Sequence, residues 1–114
     1  MNENLKPVTW MGDSRERVRF FPPIARRYAG TNLKLVQAGL DPEDWKPMQI
    51  VGKGVKEIRV HADGEYRVLY LAKFERTVYV LHAFAKKSRR TSKAAITLAR
   101  ARYREVLRME TQAP

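Results

Sequence analysis

Residues 77–85 read T-V-Y-V-L-H-A-F-A, apolar at odd and even positions alike. A β-strand turns successive side chains to opposite faces, so a run of this kind has no side to give to water. The sheet that holds it must be covered on both faces, and the chain has to supply both covers. The run also ends abruptly: Lys86, Lys87, Arg89 and Arg90 follow directly.

Two further strands precede it. Residues 55–60, V-K-E-I-R-V, lead into His61-Ala62-Asp63-Gly64, whose Asp-Gly pair is a strong hairpin signal. Residues 65–74 form the second strand, with Tyr66, Val68 and Tyr70 on one face and Arg67, Leu69 and Leu71 on the other; Glu75-Arg76 then turns the chain. Lys6-Pro7-Val8-Thr9-Trp10 reads as a short edge strand, where proline is tolerated.

The covers are helical. Asp13-Ser14-Arg15-Glu16 has the spacing of a capping box with a carboxylate as the cap, opening a first helix that carries Val18 and Phe21 inward. Pro22-Pro23 ends that helix, and proline suits the first position of a second. Ile24, Tyr28, Thr31, Leu35 and Ala38 fall on one stripe of the second helix, and Gly39 is a natural stop. Residues 40–54, with two prolines and two glycines, read as a loop. Thr91-Ser92 caps a last helix running to about Met109. Ile96, Ala99, Tyr103, Val106 and Leu107 lie on one side of it, beside a stripe of Lys93, Arg100, Arg104 and Arg108. The expected fold is α+β: an N-terminal helical hairpin packed on a small, mainly antiparallel sheet, with a C-terminal helix. Residues 1–110 form one domain and residues 111–114 a frayed tail.

Charge narrows the function. Twenty-three Lys and Arg against twelve Asp and Glu give a net charge of +11. That balance points to a polyanionic partner, nucleic acid before any other. Residues 86–104 hold eight cations and no acid, whereas a surface charged only for solubility would mix the signs. The absence of cysteine excludes disulfides and thiolate zinc sites and fits a reducing compartment. The N-terminus lacks the apolar core of a secretory signal, and no apolar run approaches the ~20 residues of a membrane span, so a cytoplasmic location without membrane attachment is expected.

No HExxH, Walker loop or GxGxxG occurs, and two histidines are too few for a His-rich metal site. What remains is a set of cations that a sheet can gather. Arg59 and Arg67 flank the hairpin turn and are expected to be cross-strand neighbours, with Lys86, Lys87 and Arg89 at the end of the third strand. Arginine offers a phosphate bidentate contacts and lysine a mobile point charge. RNA carries its own nucleophile in the 2′-hydroxyl, so such a surface needs no metal or cofactor to support strand cleavage. His82 shares a face with Val80 and Phe84 and is expected to be a hydrogen-bonded core histidine. Trp10, Trp45 and Tyr103 read as packed residues.

The ordered segments E-I-R-V (57–60), E-Y-R-V-L-Y (65–70), V-Y-V-L-H-A-F-A-K-K-S (78–88) and T-S-K-A-A-I-T-L-A-R-A-R (91–102) together resemble the RelE/ParE toxin superfamily, most closely its HigB-like, phage-derived branch. K-P-V-T-W and F-F-P fit the same branch. The resemblance implies a toxin of a type II toxin–antitoxin pair: a metal-independent, ribosome-dependent endoribonuclease that cuts mRNA and inhibits translation. Its implied partner is a co-encoded antitoxin of helix-turn-helix type, expected to be acidic and to cover the basic sheet face or the last helix. The likeness places Arg67, in the Y-R motif, at the scissile phosphate. It puts Arg59 and Lys56 on the strand of basic catalytic groups, with Lys86 as a further catalytic candidate. Lys53, Lys87, Arg89, Arg90 and Lys93 are the expected RNA-binding set. Thr91-Ser92 stands where the family often has Thr-Pro, and no aromatic residue follows the basic segment before Tyr103. Two other functions fit the same fold: a ParE-like DNA gyrase inhibitor and a non-catalytic, phage-derived RNA-binding protein.

Overall fold

The computed structural model describes residues 4–112. Five strands, β1 (Val8–Trp10), β2 (Trp45–Pro47), β3 (Val55–His61), β4 (Glu65–Leu71) and β5 (Val78–Ala85), form one sheet in the order β1-β5-β4-β3-β2. β3, β4 and β5 are an antiparallel meander, β2 adds antiparallel to β3, and β1 adds parallel to β5. The turn between β3 and β4 forms where the Asp-Gly pair predicts it, with Asp63 at φ 55° and Gly64 at φ 145°. Pro47, which has no N–H to offer, closes β2 at one edge of the sheet.

Both faces are covered, as β5 requires. Helices α1 (Ser14–Arg19) and α2 (Pro23–Gln37) lie on one face, where Val18, Phe21, Leu33 and Val36 pack with Ile58, Val68, Tyr70 and Val80. Helix α3 (Lys93–Gln112) lies on the other, where Ala99 and Val106 meet Leu69, Leu71, Tyr79 and Leu81. Each such large side chain taken out of water stabilises the fold by about 1.5–3 kcal/mol. The architecture is the α+β arrangement expected from the sequence. Among the described residues, no helix is long and apolar enough to cross a membrane.

Four local expectations need correction. The stripe that α2 buries is Ala25, Ala29, Asn32, Leu33 and Val36, while Ile24, Tyr28, Thr31 and Ala38 face outward. The small alanines let the helix backbone sit close to the sheet, and Asn32 satisfies itself locally by donating to the Tyr28 carbonyl and accepting from Glu43 N–H. Residues 40–54 are not all loop, since they contain β2. The Asp13 carboxylate makes no cap bond, because its oxygens are taken by Arg17 and Arg102. Finally, α3 continues through Thr111 and Gln112; residues 113 and 114 of the expected tail lie outside the described residues. Ser92 does cap that helix, its Oγ accepting from Ala95 N–H at 3.1 Å.

Arg102 ties the two covers together. From α3 it donates to the Leu81 carbonyl of β5 and to Asp13 at the start of α1, both at 2.8 Å. Its guanidinium crosses directly over Gly12, which sits at φ 54°; a β-carbon there would lie 2.4 Å from Arg102 Nη2. Gly12→Ala would thus impose both left-handed backbone strain and displacement of the arginine. We expect a loss of at least about 1–2 kcal/mol, the ordinary cost of that backbone region for an L-residue, read as a lower melting temperature.

Candidate nucleic-acid interface

The register places Arg59 directly opposite Arg67, and Glu57 one position further along the same face of β3. Period-two alternation makes this the α3 side of the sheet, shared with Val55, Leu69 and Leu71. Glu57 has no exposed surface, and both its carboxylate oxygens lack a hydrogen-bond partner. Its charge is met at longer range, by Arg67 Nε at 3.7 Å and Lys46 Nζ at 3.9 Å. Arg67 is itself buried, and its Nη1 donates to Glu65 Oε1 and to the Tyr66 carbonyl, both at 3.0 Å. The Nε atoms of Arg59 and Arg67 make no hydrogen bond.

Beside this buried pair opens a cleft of about 410 Å³. Lys46, Lys86, Arg89, Arg90 and Lys93 line it together with Met48, Ile50, Thr91 and Ile96; no acid is among them. β2 supplies Lys46, Lys86 follows directly on β5, Arg89 and Arg90 come from the segment leading into α3, and Lys93 is the first residue of that helix. Of these five cations only Lys46 faces a carboxylate, that of the buried Glu57; the others converge without an acid in the lining and repel one another, and a polyanion relieves that repulsion. The apolar floor of Met48, Ile50 and Ile96 suits the faces of bases beside a phosphate track. Lys46 belongs to both features, since it lines the cleft and faces Glu57.

The expected residues divide accordingly. Lys86, Arg89, Arg90 and Lys93 meet in the cleft. Arg59 and Arg67 lie together on the sheet face behind it. Lys56 does not join them: it points to the opposite face, over the Trp45 ring at 4.4 Å and 3.4 Å from Asp41. Lys87 lines a groove beside α1, and Lys53 lies at the far end of the sheet, where its carbonyl accepts from Tyr103 and Lys73. Sequence reasoning missed Lys46 and Glu57. Reading residues 40–54 as loop hid the strand that pairs Lys46 with Glu57.

His82 is buried, as expected, but its Nδ1 has no hydrogen-bond partner. Burial, helped by the charges of Arg102 and Arg17, pushes its pKa down to about 4. It is therefore neutral near pH 7, when a proton donor would need to be charged. The other histidine is the opposite case. His61 Nε2 lies 2.6 Å from Asp44 and its Nδ1 2.8 Å from Glu65, whose second oxygen receives Arg67. The hydrogen bond to Asp44, then that to Glu65, raises the His61 pKa. With the folded value above the ordinary 6.5, this contribution is whole below pH 6.5 and fades as pH rises through the folded value. As pH rises above 6.5 the melting temperature should therefore decline by more in the native chain than in His61→Gln, where this contribution is absent.

No curated protein matches the sequence. Among solved structures, the chain is similar to one from the toxin-antitoxin complex RelBE2 of Mycobacterium tuberculosis, with 19% identity, 72% of this chain and 99% of that chain covered, and a TM-score of 0.45. The family model described as Phage derived protein Gp49-like matches residues 16–104, from α1 through most of α3, and the chain belongs to that family.

Proposed function

We propose that this protein is the toxin of a type II toxin–antitoxin pair, of the HigB-like branch, acting as a metal-independent, ribosome-dependent mRNA endoribonuclease. One observation carries the reading: five cations and no acid converge on a single cleft, next to a sheet face that holds Arg59 and Arg67. The likeness of the strand motifs to RelE/ParE toxins and the phage-derived family support it. A gyrase inhibitor, which acts by binding protein, has no use for an acid-free cleft of this kind.

In the proposed reaction the 2′-oxygen attacks the adjacent phosphorus and the bond to the 5′-oxygen breaks. The proton leaves the 2′-hydroxyl and a proton reaches the departing oxygen, so a cyclic phosphate and a 5′-hydroxyl result. Lys86, Arg89, Arg90 and Lys93 hold the strand and, with Lys46, offset charge on the five-coordinate phosphorus. Arg59 and Arg67 back the cleft. Arg67 in addition keeps Glu57 charge-compensated, a structural duty that limits what its removal can report. Arg67→Ala strands a buried carboxylate, at a cost of about 3–5 kcal/mol to stability. The co-encoded antitoxin, of helix-turn-helix type, silences the activity.

Expression without an antitoxin should arrest growth and place cuts within codons of ribosome-associated mRNA; intact transcripts during arrest would refute the reading. Lys86→Met, at the rim, is the cleaner probe. It should lower cleavage by about 10²–10³-fold if Lys86 stabilises the transition state. It should also reduce the salt dependence of single-strand RNA binding by about 0.7 in the log–log slope, with the melting temperature unchanged.

A further inference from the structure

Of the large exposed apolar side chains among the described residues, Ile50 lines the cleft and Leu40 follows α2, while three stand together elsewhere. Phe20 is 87% exposed, Ile24 55% and Tyr28 48%, all at the corner where α1 turns into α2. Ile24 and Tyr28 stand one turn apart on α2, and Phe20 caps α1 just before the Pro22-Pro23 break. Two hollows flank that break. One, of about 600 Å³, is walled by Phe20, Phe21, Tyr66 and Phe84, with Asp13 and Glu16 also in its lining; the other, of about 340 Å³, by Pro22, Pro23, Ile24, Ala62 and Asp63. Residues 14–28 carry five arginines, all exposed, against the single acid Glu16. The corner is thus an apolar, hollowed surface rimmed with positive charge.

We propose that this corner is the docking surface for an acidic amphipathic helix of a partner protein. Ile24 and Tyr28 form a ridge at spacing four on α2, and such a ridge packs into the groove of another helix. Apolar residues of the incoming helix would fill the two hollows, and its acidic flanks would meet Arg15, Arg19, Arg26 and Arg27. A second copy of this chain would bring arginine against arginine. Bulky apolar groups lead here and exposed arginines flank them, so an amphipathic helix meets both kinds of group, whereas an RNA backbone would meet the arginines alone. Only the partner's identity as the antitoxin rests on the function proposed above. The larger hollow adjoins the basic segment through Lys87 but shares no lining residue with the cleft, so a partner seated here leaves Lys86, Arg89 and Arg90 uncovered, contrary to the expectation that the basic face is the one covered.

The test uses the isotope-labelled full chain and a stapled synthetic helix with leucine on one stripe and glutamate elsewhere. Amide shifts should centre on Phe20, Ile24 and Tyr28. The double substitution Phe20→Ser, Ile24→Ser should weaken binding about tenfold, as loss of central apolar anchors does. It should leave the melting temperature and single-strand RNA binding unaltered. Shifts confined to residues 86–93, equal binding by a peptide of scrambled stripe, or undiminished binding by the double variant would each overturn the proposal. So would attachment to phosphatidylglycerol vesicles that the double variant loses, which would make the corner a lipid surface. RNA cleavage persisting through any of these results leaves the cleft reading intact, so the two failures are distinguishable.

Discussion

A sheet covered on both faces cannot carry charge on its inner strands without compensation, and β3 and β4 place Glu57 and Arg67 there. The price of burying an ion is several kcal/mol even after relaxation, so each of these groups is tolerable only with its partners in place. Arg67 offsets Glu57, and Glu65 and the Tyr66 carbonyl occupy the rest of Arg67. Lys46 reaches the same carboxylate from β2, and His61 holds Glu65 from the other side. The network links the sheet's interior to the rim of the cleft. Strand register, far more than surface charge, decides which cations stand where.

The parts legible in the sequence were those governed by local rules. The Asp-Gly turn, the Pro22-Pro23 break, the Ser92 cap and the two-sided apolar strand each depend on a few adjacent residues, and each appears where expected. The misread parts depend on partners far along the chain. The stripe of α2 looked like Ile24 and Tyr28 because large apolar residues dominate a helical pattern. The sheet instead received Ala25 and Ala29, whose small side chains allow close approach. Asp13 was spaced as a cap but sits within reach of Arg102, eighty-nine residues away. For the site, the cations of residues 86–93 were visible as a cluster, yet the sequence does not show that Lys86 reaches the cleft and Lys87 the hollow beside α1. Lys56 and Lys46 were exchanged in effect: alternation sends Lys56 to the far face, and the unrecognised strand β2 brings Lys46 in.

Two positively charged surfaces follow from one composition, and their chemistry differs. The cleft combines cations with a narrow apolar floor and excludes acids, which suits a flexible polyanion. The α1–α2 corner presents bulky apolar groups first and arginines around them, which suits a folded partner with a matching rim. Net charge alone would have merged the two.

The parallel pairing of β1 with β5 bears on how the chain comes to be folded at all. Val8 lies opposite Val78, so the first strand made has no neighbour to join until the last strand exists. The β3–β4–β5 meander joins sequence neighbours and needs only short loop closures, while β1 waits on a contact of long sequence separation. Arg102 of α3, which secures the start of α1, emerges later still. The basic segment also follows in the chain the meander that presents it, so the cleft cannot be complete before β5 and the start of α3 have been made.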